Sequence, residues 1–310
     1  MGSTESGTDQ TLFNTSTPNL FSLHDRTIIG KFCPTLIYVH SNNEENKSSV
    51  TGATGGLGSQ LTRAILESGG DVIAIDYGNI PPTTIWEPLQ SLAKSLSRTL
   101  TYHPCDICSP TLTASVFEAA AAQARYPVRG LVNCAGIGTV GDSIDYPEDQ
   151  TRRTLDVNLA GSLYVAQAAA KVVMKQHHEG KSLGASFVFV ASMSGYITNK
   201  ATPTAIYSAS KAGVHQLVRS LAGEWGSPSP TSSSNPIIRV NSISPGVIQT
   251  PMTQHVLARQ DWTSVWQQEA MLKRISSPDE YRGAVVFLLA DASSYVTGAD
   301  LRVDGGSTAW

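Results

Sequence analysis

Short strand-like runs, some of them continuously apolar, recur along this chain, most followed by a longer stretch whose apolar positions return every three or four residues. The runs are Asp71-Val72-Ile73-Ala74-Ile75-Asp76, residues 100–106, residues 130–133, Phe187-Val188-Phe189-Val190-Ala191, residues 237–243 and residues 301–303. The helical stretches cover residues 57–68, 114–125 and 155–176, and a further one runs from Ile206 through Val214, Leu217, Val218 and Leu221. A strand that is apolar on both sides of its pleat must be buried on both faces. The pattern therefore predicts an α/β protein, a single doubly wound parallel sheet with helices on both faces, and active residues at the carboxyl ends of its strands.

Two segments break this rhythm. Residues 1–20 are Ser/Thr-rich and without period, which predicts a loose tail before one domain over residues 21–310, and residues 226–236 read as an exposed Pro/Ser loop. The sharper break is residues 31–49. Arg26-Thr27-Ile28-Ile29 reads as the opening of a buried strand and Val50-Thr51-Gly52 as the end of one, yet the run Ser41-Asn42-Asn43-Glu44-Glu45-Asn46 between them is wholly polar. Without the insert the text becomes Ile28-Ile29-Val50-Thr51-Gly52, a continuous first strand. Residues 31–49 thus read as a translated, unspliced intron: Gly30-Lys31 is what a GGTAAG donor encodes, and Ser49-Val50 accommodates a CAG acceptor. The rival reading is a genuine insertion in which residues 35–39 form the first strand. That arrangement would put the polar run between a strand and its own glycine turn.

Composition narrows the function classes. The chain has 310 residues, 41% hydrophobic and 15% charged, enough for a substantial core. A formal charge of −3 gives no basic footprint for nucleic acid, no apolar run approaches a membrane span, and no leader pattern opens the chain, so the cytoplasm is the default location. Cys105-Asp106-Ile107-Cys108 has C-x-x-C spacing, but no second Cys/His pair completes a zinc site, and no metal is required by anything else in the text.

The chemistry begins at the glycines. Gly52, Gly56 and Gly58 permit a tight turn and close approach of a pyrophosphate to the start of the helix at Leu57, where free N–H groups and the helix dipole favour negative charge. About twenty residues on, a strand ends in Asp76, placed to accept hydrogen bonds from ribose hydroxyls and to repel a 2′-phosphate. This favours NAD(H), while a single acid followed by Tyr77 leaves NADP(H) open. Tyr207 and Lys211 lie one turn apart on one helix face. On spacing alone such a pair is an ordinary solvated helix face. Beside a dinucleotide turn it becomes chemical, because a fixed cation favours the phenolate of a group whose usual pKa is about 10.

These pieces together resemble the short-chain dehydrogenase/reductase family, with its Rossmann-type sheet, from about residue 22 to the end. The resemblance rests on Thr51-Gly-x-x-x-Gly-x-Gly, Asp106 after the third strand, Asn133-Cys134-Ala135-Gly136, Asn158 on the long helix, a serine after the fifth strand, Tyr207-x-x-x-Lys211 and Pro245-Gly246-Val247-Ile248-Gln249-Thr250. It implies Tyr207 as proton donor or acceptor, Lys211 lowering its pKa and holding the nicotinamide ribose, and Asn158 positioning a relay water. It also implies Asp106 and Ile107 at the adenine, Asn133, Ala135 and Gly136 along the cofactor, and Ile248 and Thr250 at the carboxamide. Counting back from Tyr207 picks Ser194 as the catalytic serine, whereas the pattern of serine, two residues and glycine directly after the strand picks Ser192 with Gly195. Ser192 is the expectation and Ser194 the fallback, since the hydroxyl needs a rigid strand terminus.

The similarity is greatest to fungal members that resemble polyol dehydrogenases and ketose reductases, a group that includes tailoring enzymes of secondary metabolism. A small-molecule substrate and a homodimer or homotetramer are implied. Trp262 and Trp266, on one turn of the segment in the family's lid position, favour a bulky or planar substrate, with ordinary lid packing as the plainer reading. The alternative of another class is a catalytically silent dinucleotide-binding sensor or scaffold.

Overall fold

The computed structural model describes residues 15–31, 37–39, 55–181, 184–227, 235–250, 253 and 257–310. In chain order its elements are α1 (Thr17–Leu20), β1 (Thr27–Lys31), β2 (Ile37–Val39), α2 (Gly56–Glu67), β3 (Asp71–Asp76), α3 (Thr83–Ser95), β4 (Leu100–Pro104), α4 (Pro110–Ala122), β5 (Val128–Asn133) and β6 (Gly138–Val140). Then follow α5 (Glu148–Leu155), a π turn (Asp156–Ala160), α6 (Gly161–His178), β7 (Gly184–Val190), α7 (Ala205–Trp225), β8 (Ile237–Pro245), α8 (Gln260–Glu269), α9 (Arg282–Leu289) and β9 (Asp300–Val303).

Seven strands form one sheet in the order β4-β3-β1-β5-β7-β8-β9, and each neighbouring pair is parallel. The chain starts in the middle at β1, moves outward through β3 to β4, and returns to the other side of β1 at β5. The direction of winding therefore reverses between β1 and β5, and the crevice at their carboxyl ends is where such sheets take ligands.

The continuous apolar runs are explained by two cores, one on each face. Ile28, Val72, Ala74 and Val188 pack with Leu61 and Ile65 of α2 and with Val285 and Leu289 of α9. Their chain neighbours Ile29, Ile73, Phe187 and Phe189 pack with Val165 and Ala169 of α6 and Val214 and Val218 of α7. Successive strand residues thus serve opposite layers, as the period of two requires.

The departures from the pattern are local. The long helix begins at Glu148, not Leu155, because the polar α5 precedes it, and the two are joined through the π turn that carries Asn158. By length and composition Glu148–His178 could cross a membrane, but 56% of the tested stretch is buried inside the protein. The helix expected at 114–125 starts at Pro110, since Ser109 caps it and accepts a hydrogen bond from the Leu112 amide. Thr27–Lys31 is the first strand of the central sheet, paired with both β3 and β5. Ile37–Val39, which the rival reading made the first strand, instead pairs with Gly138–Val140 in a separate two-stranded ladder. The remainder of the insert and residues 1–14 lie outside the described residues, and of the stretch expected as a loose tail Thr17–Leu20 form α1.

Candidate active site

Strand β7 ends at Val190, and Ser192 follows in extended conformation as the cap of a short turn, Met193–Gly195. Its Oγ accepts the Ser194 amide at 3.2 Å, which fixes the hydroxyl at the rigid strand terminus. Gly195 is required at this turn because a Cβ there would meet His215 Cε1 at 2.7 Å and the Ala212 amide at 2.9 Å. The turn is thereby pressed against α7, which carries Tyr207. Burial pushes the Tyr207 phenol above its usual pKa and a hydrogen bond with Ser192 pulls it the other way, so the net shift is opposite to the lowering expected from Lys211, because burial prevails. Ser194 is engaged elsewhere: its Oγ exchanges hydrogen bonds with Asn199, at 2.9 Å and 3.1 Å.

Lys211 is buried one turn after Tyr207. Its Nζ donates to the Val190 carbonyl at 2.9 Å and lies 5.8 Å from the centroid of the Tyr207 ring. Asn158 is fully buried in the π turn: its Oδ1 accepts the Ile137 amide at 2.8 Å, and its Nδ2 donates to the Ile137 carbonyl and to Ser210 Oγ, each at 2.9 Å. The side chain ties the loop after β5 to α7. A Cβ on Gly136 would meet Lys211 Nζ at 3.1 Å and Asn158 Oδ1 at 3.4 Å, so the backbone there passes directly beside both groups.

Ser192, Tyr207 and Lys211 line one cavity of about 170 Å³, together with Gly56 and Leu57 at the start of α2 and Pro245, Gly246, Ile248 and Thr250 after β8. The other expected cofactor residues sit on the same edge of the sheet. Asp76 ends β3, is 1% exposed and accepts the Tyr77 amide at 2.6 Å. Asp106 and Ile107 follow β4, and Asp106 Oδ1 accepts the Cys108 amide at 2.9 Å. Asn133 ends β5 and donates to Ser162 Oγ at 2.8 Å, with Ala135 next to it. Gly58 is buried within α2, and Thr51 and Gly52 lie outside the described residues.

These residues fit a nicotinamide dinucleotide. The first turn of α2 is preceded by Gly55 with no side-chain cap, so no side chain competes for its N–H groups. A Cβ on Gly246 would meet Asp304 Cα at 3.0 Å and one on Gly136 would crowd Lys211 Nζ at 3.1 Å, so both glycines let the backbone pack closely around the site. A buried carboxylate stands one strand away.

Burial and then Asp106 push the Cys108 thiol up to about 12, and Cys105 is buried with its sulfur 3.8 Å from Thr113 Oγ1. Among the described residues no three His, Cys, Asp or Glu side chains cluster as metal ligands would.

Some functional neighbours were not singled out from the sequence. Val140, Met193, Asn199 and Thr204 also line the cavity. Behind the catalytic helix, His215 Nε2 lies 2.8 Å from Ser244 Oγ, which donates to Asp300 Oδ1 at 2.9 Å. Burial keeps His215 below its usual pKa while Asp300 opposes this. The sequence signal for that link was His215 itself, one turn beyond Lys211 on an otherwise apolar helix face. Of the lid tryptophans, Trp262 is buried against Val140 and Trp266, and only Trp266 reaches the cavity.

Comparison with known proteins agrees with this geometry. The family profile described as enoyl-(acyl carrier protein) reductase matches residues 52–308. The short chain dehydrogenases/reductase notP′ of Aspergillus versicolor is 43% identical over 295 residues, covering 95% of this chain and 91% of that protein. An NADH-dependent L-xylulose reductase of Ambrosiozyma monospora is 37% identical over 270 residues, covering 84% and 94%. The crystal structure of an NADPH-dependent 3-quinuclidinone reductase from Rhodotorula rubra superposes with a TM-score of 0.76 at 28% identity, covering 96% of each chain. This chain belongs to the short-chain dehydrogenase/reductase family and is an oxidoreductase acting on CH–OH groups with a nicotinamide dinucleotide.

Proposed function

We propose that this enzyme interconverts a secondary alcohol and a ketone, with Tyr207 moving the proton. The observation that carries the reading is the convergence of Ser192, Tyr207 and Lys211 on one cavity at the sheet's reversal point, with Asn158 braced behind them. Bound NAD(H) supplies or takes up the hydride at the substrate's carbinol carbon. Ser192 holds the substrate oxygen, and Tyr207 gives that oxygen its phenolic proton during reduction and removes it during oxidation. Lys211 holds the nicotinamide ribose and favours the phenolate once the proton has left. Asn158 keeps the Ile137 loop and α7 in register, so that a water can be held behind Lys211. Asp76 binds the adenosine ribose, and its buried charge makes NAD(H) the preferred cofactor. Of the proteins compared, the L-xylulose reductase is named for a sugar, the 3-quinuclidinone reductase for a cyclic ketone, and notP′ only for its family. A ketose or a fungal secondary-metabolite ketone are the substrate classes they support. The family also supports a cytosolic homodimer or homotetramer, and a monomeric mass in sedimentation would contradict that assembly.

The test is Tyr207→Phe. Turnover should fall by about two to four orders of magnitude while NADH affinity stays within a few-fold. Full turnover by the variant would sink the assignment.

Residues 31–49 are, on our reading, not part of the functional protein. Gly30 and Lys31 close β1 opposite Ala74 and Val132, then Ile75 and Asn133, in the middle of a sheet where central strands favour β-branched residues. Splicing would put Val and Thr51 at those two positions and join the strand directly to its glycine turn. The family match also begins only at residue 52, after the insert. Transcript sequence decides the matter: codons at residues 30–31 or 49–50 that cannot spell the splice sites exclude it.

A further inference from the structure

The cavity is polar only where the reaction is. Away from Ser192, Tyr207 and Lys211, its described polar side chains already hydrogen-bond one another or backbone carbonyls. Ser194 bonds Asn199, Asn199 Nδ2 donates to Thr204 Oγ1 at 2.9 Å, and Thr204 Oγ1 lies 3.3 Å from Ser208 Oγ. On the other wall Thr253 Oγ1 donates to the Ile248 carbonyl at 2.7 Å and contacts Thr250 Oγ1 at 3.1 Å, and Thr202 Oγ1 donates to the Lys200 carbonyl at 3.1 Å. Lys211 is the one charged residue among those described around the cavity. The remaining wall is apolar, made of Val140, Met193, Val247 and Trp266. Trp266 is held in place by Trp262, with ring centroids 6.2 Å apart, and Trp262 is itself covered by the Arg259 guanidinium 3.9 Å above its ring.

Resting on the alcohol/ketone reading above, we propose that the substrate is an apolar, ring-bearing ketone whose body lies against Trp266, and not a ketose or polyol. A sugar would bring several hydroxyls into this space. Each would give up water for a wall whose described side-chain donors are already committed, on the order of a ten-fold loss of affinity for each hydroxyl left without a donor. A ketone with a single polar atom loses nothing of the kind: its oxygen meets Ser192 and Tyr207, and its rings meet Trp266 and the aliphatic wall.

The experiment uses the full-length protein with 1-tetralone as probe and D-fructose and L-xylulose as competitors of the other class. Binding is measured by titration calorimetry and turnover by NADH consumption. The proposal expects 1-tetralone to bind at least a hundred-fold more tightly than either ketose, and Trp266→Ala to weaken tetralone binding at least five-fold. Tighter binding or faster reduction of a ketose, or tetralone affinity unmoved by Trp266→Ala, would overturn it. If tetralone binds in a Trp266-dependent way but no ketone of either class is reduced, the pocket assignment stands and the oxidoreductase mechanism proposed above fails.

Discussion

The Tyr207 phenol sits in surroundings that favour its neutral form, since burial outweighs the hydrogen bond from Ser192. The phenol is therefore in its proton-donating form near neutral pH, as ketone reduction requires, although burial makes it a weaker acid, whereas alcohol oxidation needs the phenolate and should accelerate as pH rises. The two nearby serines separate by their partners. Ser192 touches the phenol, while Ser194 is spent on Asn199. Ser192→Ala should lower kcat by roughly two orders of magnitude, and Ser194→Ala should leave it within a few-fold, as read in steady-state assays of both variants. The reverse order would return the role to Ser194. At this scale the sequence exposed Tyr207, Lys211 and Asp76 because their spacing is local to one helix or one strand end. It could not expose Asn199, Thr204 or Val140, whose placement in the cavity depends on loops that only the folded sheet brings together.

Among the elements, β1 decides whether the dinucleotide site is properly closed. It occupies the sheet centre, but its last two residues are Gly30 and Lys31. Removing residues 30–49 should leave a continuous Ile29-Val50-Thr51-Gly52 strand and turn. The shortened chain should bind NADH more tightly than the full one, and more tightly than NADPH, by quenching of tryptophan fluorescence. Equal NADH binding by both forms would make the insert a tolerated part of the protein. The strands β3 and β7 were legible from their continuously apolar centres, and β5 and β8 from the apolar residues that flank Arg129, Arg239 and Asn241. The β2–β6 ladder, with three residues in each strand, was not legible, since so short a segment carries no period. Nor was the start at Glu148, because the first eight residues of that helix are mostly polar and signal by charge placement rather than by an apolar stripe: Glu148 and Asp149 in its first turn, Arg152 and Arg153 in its last.

For the whole molecule, one parallel sheet separates two apolar layers, and the titratable groups caught in them tie stability to pH. Tyr281 is fully buried, bonded to Ser276 Oγ at 2.6 Å, and its phenol is pushed up to about 12, chiefly by burial. Because the folded value lies above the unfolded one of about 10, this group's contribution is complete below pH 10 and is lost as pH rises through about 12. Tyr281→Phe should therefore flatten the fall of the denaturation midpoint between pH 10 and pH 12, whatever its offset at neutral pH. An unchanged slope would show that Tyr281 does not titrate in this way. The fold class was legible at this scale from the alternation of buried strands and amphipathic helices. The substrate was not, since it is set by which polar groups pair with each other across the cavity.

The most direct test of the central claim is transfer of deuterium from NADH labelled at nicotinamide C4, in both stereochemical forms, to a panel of ketones spanning ketoses and cyclic aryl ketones. The account predicts one deuterium at the carbinol carbon of at least one product from one labelled form, and none with Tyr207→Phe under the same conditions. Tight NADH binding with no label in any product would contradict it, and would mark the chain as a dinucleotide-binding protein that does not turn over.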